Sequence, residues 1–148
     1  MQNWFFLLIA ILIGTIMPTQ AAINNKLTTF TESPVLAALI SFFVGTVTLL
    51  IYCLVGGISL SNLSFTRNAP PVAWIGGFIG AIYVSMVAFL VPRLGVALLF
   101  SLIVAGQMLI TLVFDHYGIL GVPVKAINLP RLIGVLLVIA GVILVRRY

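Results

Sequence analysis

The chain has 148 residues, 63% of them hydrophobic and 6% charged, with mean hydropathy +1.34, net charge +5 and pI about 10.0. A soluble domain carries about 25% charged residues, so the composition excludes a soluble fold and predicts an all-α integral membrane protein. Barrel strands alternate polar and apolar residues, whereas these apolar runs are continuous, and the positive charges stand between the runs with no basic, aromatic-interleaved cluster, which argues against nucleic acid as a partner.

The first apolar run begins at Trp4 and continues to about Ile23. A cleaved signal wants a basic start and a short apolar core. Met1, Gln2 and Asn3 supply no Lys or Arg, and about twenty apolar residues suffice to span a bilayer. The run is therefore expected to stay as a membrane helix. The second run, about 35–55, is entered through Ser33-Pro34 and left through Gly56-Gly57. It holds Cys53, the sole cysteine, so no intrachain disulfide is possible and a buried, inert thiol is expected. The third run, about 72–91, follows a polar loop ending Asn68-Ala69-Pro70-Pro71. Only Pro92-Arg93-Leu94 separates it from the fourth, about 95–114, and so short a link predicts adjacent antiparallel helices. Asp115 to Pro130 is the longest connection, and its partly apolar stretch from Gly118 to Pro123 is expected at the interface.

The fifth run is strictly apolar only from Leu132 to Val145. That is about 21 Å of helix at 1.5 Å per residue, short of a hydrocarbon core of about 30 Å. Arg131 and Arg146 can snorkel from its ends, so five spans are favoured over four. The expectation is a single transmembrane domain over 1–148, with helices about 4–23, 35–55, 72–91, 95–114 and 130–146.

Five spans put the termini on opposite faces. Arg67, Lys125 and Arg131 then share the N-terminal face, and Lys26, Arg93, Arg146 and Arg147 share the other. Orientation follows the Lys/Arg bias of short loops, and here there is almost none. Two readings stay open: insertion both ways round, which is favoured, or one orientation fixed by another determinant. Dual insertion allows an antiparallel homodimer. Its ten helices would have the inverted-repeat architecture of transporters that bind substrate near the midplane.

Polar residues within the runs are the candidate site. Gln20 and Asn24 are four apart and share a helix face beyond Pro18. They either line a polar cavity on a kinked helix or, respectively, snorkel to the interface and cap the helix end. Gln107, Thr111 and Asp115 also repeat every fourth position, with His116 next. This stripe serves interhelical hydrogen bonding or a hydrated path with Asp115 and His116 as proton-titrating groups at its mouth. For the last pair the structural role is favoured, because depth in the membrane is what marks an ionisable group as functional. No acid or base occupies the centre of any run, which argues against a simple acid-based exchange mechanism. Ser41, Thr48 and Tyr83 are weaker lining candidates.

Gly76 and Gly80 have small-xxx-small spacing, Ala97, Ser101 and Ala105 repeat every fourth position, and Gly134 and Gly141 mark the fifth run. Such faces permit close helix packing, and the fifth run is the expected dimer seam. There is no Ser-His-Asp set, no metal-ligand cluster and no nucleotide loop. The chain is thus expected not to be an enzyme and to need no cofactor or metal.

The stretch GTIMPTQAAINNKL at 14–27 resembles the first-helix signature of the YdcZ-like family, small proteins of the drug/metabolite transporter superfamily. PRLGVALLFSLIVAGQ at 92–107 and DHYG at 115–118 resemble the same family, and RLIGVLLVIAGVILV at 131–145 is similar to the dimerising helix of small multidrug-resistance proteins. The resemblance covers essentially the whole chain. It implies five helices, the bacterial inner membrane, and an antiparallel dimer or a pair with a paralogue. It also implies transporter ancestry. The small multidrug exporters use a glutamate in the first membrane helix; none occurs in this first run, so their proton exchange is not carried over.

The expected function is a small inner-membrane transporter moving an unidentified small solute through a cleft at an antiparallel dimer interface. Gln20, Asn24, Gln107 and Thr111 would line it, among membrane lipids. The rivals are a non-transporting scaffold or lipid-binding protein, and one half of an obligate heterodimer.

Overall fold

The computed structural model describes residues 4–148. Met1, Gln2 and Asn3, on which the argument about the leader partly rests, lie outside the described residues. Among those described there are five α-helices and no strand: α1 Trp4–Thr31, α2 Pro34–Val55, α3 Ile75–Leu94, α4 Val96–Tyr117 and α5 Leu129–Arg147. Three 3-10 segments, Leu60–Asn68, Pro71–Trp74 and Ile119–Gly121, fill the longer connections. All five α-helices are long and apolar enough to cross a membrane. The chain is a multi-pass membrane protein.

The structure divides into two compact units, one ending at Arg93 and holding α1 to α3, the other running from Leu94 to Tyr148 with α4 and α5. In the first unit α1 and α2 pack together as a hairpin. Glu32 turns the chain at a positive φ of 54°. Ser33 caps α2, its side chain accepting from the Leu36 N–H at 3.3 Å, and Pro34 takes the first turn, where its missing N–H costs nothing. Ala21 and Asn24 on α1 and Ala37 and Ala38 on α2 are buried. Small side chains there let two helices approach where lipid offers no hydrophobic drive between them. Gly80 of α3 lies against the Phe42 ring, so that a Cβ there would meet Cζ at 3.5 Å.

In the second unit α4 and α5 form another packed hairpin, burying Leu99, Val135 and Val142. Asn128 caps α5, its side chain accepting from the Arg131 N–H at 3.0 Å, and Pro130 stands in the first turn. Gly118 ends α4 in the left-handed conformation at φ 63°. A side chain is doubly disfavoured there, because a Cβ would fall 2.8 Å from Val124 Cγ2.

Two expected boundaries move. The first helix ends at Thr31 rather than near Ile23, and it runs through Pro18 without interruption. Hydropathy falls at Asn24, but the helix continues: Thr28 donates to the Asn24 carbonyl at 3.0 Å and Thr31 to Leu27 at 3.3 Å. Asn24 therefore sits inside the helix and does not cap its end. Pro92 belongs to α3 and not to a link, since proline removes one bond of the ladder without closing off the turns after it. The break comes at Gly95, whose φ of 74° few other residues adopt. The fifth helix, expected at about 130–146, runs from Leu129 to Arg147, about 28 Å, with capping and the arginine-bearing turns extending the strictly apolar run.

Candidate functional site

The first unit carries the α1 carboxamides. Gln20 and Asn24 are one turn apart, and neither side chain has a hydrogen-bond partner among the described residues. Asn24 is only 4% exposed, whereas Gln20 is exposed on the helix surface. A half-open cavity of about 240 Å³ lies between α1 and α2, lined by Gln20, Ser41, Phe42, Gly45, Thr46 and Leu49. The structure thus brings Gln20 and Ser41 to one cavity. Thr46 was missed at the sequence level, although its spacing from Phe42 and Gly45 on a helix that must turn back along α1 could have placed it there.

Most hydroxyls in the helices are already used locally. Thr15 donates to Leu12, Thr19 to Thr15, Thr46 to Phe42, Thr48 to Val44 and Ser85 to Ala81, all at 2.7–2.9 Å. Thr48 is thereby committed to its own helix. The Tyr83 hydroxyl of α3 is buried and has no partner among the described residues. In a membrane interior an unpaired polar group costs several kcal/mol, about the same whether backbone or side chain. The Gln20 and Asn24 amides and the Ser41 and Tyr83 hydroxyls are therefore among the polar groups of this unit still free to bind something.

In the second unit Gln107 and Thr111 stand exposed on α4, and the Thr111 hydroxyl donates to the Gln107 carbonyl at 2.8 Å. Asp115 and His116 have a different setting. Asp115 Oδ2 is paired with Arg131 Nη2 at 2.9 Å, the side chains 34% and 30% exposed. Arg131 Nη1 also donates to the Lys125 carbonyl at 3.1 Å, and the Lys125 N–H donates to the Asp115 carbonyl at 2.7 Å. His116 Nδ1 accepts from the Ile127 N–H at 3.3 Å, and its ring meets Tyr117 edge-on at 4.7 Å between centroids. These bonds clasp the loop from Gly118 to Asn128 onto the end of α4. Asp115 is not simply solvated. Its partner is 16 residues away across a loop, a separation that no periodicity flags.

Gly76, Gly134 and Gly141 have nothing within 4 Å of where a Cβ would stand. Their small faces are open within the chain, and Gly141 lines an apolar groove of about 430 Å³ between α4 and α5 with Ala97, Ser101 and Val142. Among the described residues no group of three His, Cys, Asp or Glu side chains could hold a metal ion.

The model of one family, described as "Putative inner membrane exporter, YdcZ", matches residues 5–144. The chain belongs to the YdcZ family. The match spans all five helices, so this member is a multi-pass inner-membrane protein whose family description is that of an exporter. No curated protein and no solved structure matches the chain.

Proposed function

We propose that this YdcZ-family chain exports a small solute as an antiparallel homodimer, through a polar-walled cleft at the dimer two-fold. Gln20 and Asn24 bind solute or water, and Ser41 and Tyr83 contribute to the walls of the cleft. The observation that carries this reading is the pair of unpartnered carboxamides on one membrane helix, one of them almost fully buried. Groups so costly to leave unpaired in lipid are explained by an occupant that pairs with them. The near-even split of Lys and Arg between the two faces supports insertion in both orientations. Asp115 and His116 serve the loop clasp in this reading and not a proton path.

Topology tests it. Tyr148, 97% exposed at the C-terminus, is replaced by cysteine in a Cys53→Ser background and labelled with an impermeant thiol reagent from one side, then from both. Comparable labelling from each side is expected. Labelling from one side only overturns the antiparallel homodimer. Once a substrate is in hand, Gln20→Ala and Asn24→Ala should each abolish export with assembly intact, and equal loss of assembly would make them structural residues.

A further inference from the structure

The cavity between α1 and α2 carries more chemical information than the export reading uses. We infer that it binds a compact, uncharged solute with an apolar body and a head that both donates and accepts hydrogen bonds, of the primary-carboxamide kind. This names the substrate class for the proposed transporter and rests on that reading for its physiological meaning.

The lining sets the class. None of the six lining residues is ionisable: Gln20, Ser41 and Thr46 are its polar groups, and Phe42, Gly45 and Leu49 the apolar ones. A charged ligand would lose its hydration here and meet no opposite charge. The Gln20 carboxamide offers two N–H donors and a carbonyl acceptor, all without partners among the described residues. Ser41 is likewise unbonded, while Thr46 has given its proton to the Phe42 carbonyl and keeps only acceptor capacity. The head that answers these groups is neutral and presents donor and acceptor together. Phe42 and Leu49 provide an apolar surface for its body.

Depth and size narrow the class further. Ser41 to Leu49 lie about 10–22 Å along α2 from Pro34 at 1.5 Å per residue, within the middle of a hydrocarbon core of about 30 Å. A carboxamide exposed there is not satisfied by lipid. Asn24, one turn further along α1 and outside the cavity lining, is a second carboxamide without a partner among the described residues, on a residue only 4% exposed. The volume of about 240 Å³ falls below the roughly 300–1,000 Å³ of sites for drug-sized ligands, so the solute is small.

An isosteric series tests the assignment on the full chain in nanodiscs. The reporter is Ser41→Cys in a Cys53→Ser background, alkylated by N-ethylmaleimide. The probes are benzamide, benzoate, benzamidinium and toluene, which hold size nearly constant while varying charge and hydrogen bonding. Saturable protection by benzamide alone is expected. Gln20→Leu should raise the protecting concentration about tenfold or more, the loss of a hydrogen bond out of water. Gly45→Leu should abolish protection by filling the cavity, since nothing lies within 4 Å of a Cβ there. Equal protection by toluene, or by either ion, overturns the class, as does absence of protection by every probe. Unchanged benzamide protection in both Gln20→Leu and Gly45→Leu overturns the site. The assay reads neither transport nor topology: one-sided Tyr148→Cys labelling with benzamide selectivity intact refutes the dimer alone, and the converse refutes the solute class alone.

Discussion

Replacing Asp115 with alanine removes the carboxylate that holds Arg131, and with it one of the bonds fixing the loop between α4 and α5. The expected magnitude follows from the geometry. The pair is direct, at 2.9 Å, and each side chain is about one-third exposed. Fully exposed pairs contribute about 0.2–1 kcal/mol, whereas breaking a fully buried one costs about 3–5 kcal/mol. Arg131 keeps the Lys125 carbonyl as a partner, so its charge is not stranded when Asp115 is lost. About 1–2 kcal/mol is the resulting expectation, felt locally as easier opening of the loop. The amides of Lys125 and Ile127 report that opening, since they bond to the Asp115 carbonyl and to His116 Nδ1. Hydrogen exchange of the peptide covering residues 118–128, measured in nanodiscs, should quicken about 5- to 30-fold. Arg131→Gln should have a comparable effect, and the double variant should fall well short of the sum, because the two changes remove one shared interaction. Unaltered exchange in Asp115→Ala, or strictly additive effects, refutes the clasp.

Gly118→Ala should destabilise the second unit by about 1–2 kcal/mol from left-handed backbone strain alone, with a further cost from moving Val124, which is exposed and can yield; unfolding in a denaturing detergent checks this, and an unchanged midpoint contradicts the φ of 63°. Tyr83→Phe removes a buried hydroxyl that bonds to nothing described, so stability should hold or rise by up to about 1–3 kcal/mol. A clear loss of stability in the same assay would show that the hydroxyl has a partner in the assembled protein.

The five helices were legible because an apolar run long enough to span a bilayer has few other fates in water. Their ends were less so. Hydropathy marks where lipid stops, and helical hydrogen bonding need not stop with it, as the turns of α1 from Asn24 to Thr31 show. Proline at 92 suggested a break that Gly95 makes instead, because one lost bond is tolerated and a positive φ ends the helix outright. For the site, spacing put Gln20 and Asn24 on one face, but the meeting of Gln20 with Ser41 and Thr46 depends on how α2 folds back along α1. The Asp115–Arg131 pair depends on the path of an irregular loop, and single-sequence periodicity contains no such path.

The helices differ in length, and bilayer thickness therefore bears on them unequally. At 28 residues α1 measures about 42 Å, well beyond a hydrocarbon core of about 30 Å, so it must lean or carry its last turns, with Lys26, into the headgroups. At 19 residues α5 measures about 28 Å, and it meets the same core only with its terminal arginines reaching outward or the lipid drawn in around it. A thicker membrane stands α1 more upright and strains α5; a thinner one relieves α5 and tips α1. Acyl-chain length is thus a mechanical input to this small protein, with opposite effects at the two ends of its chain.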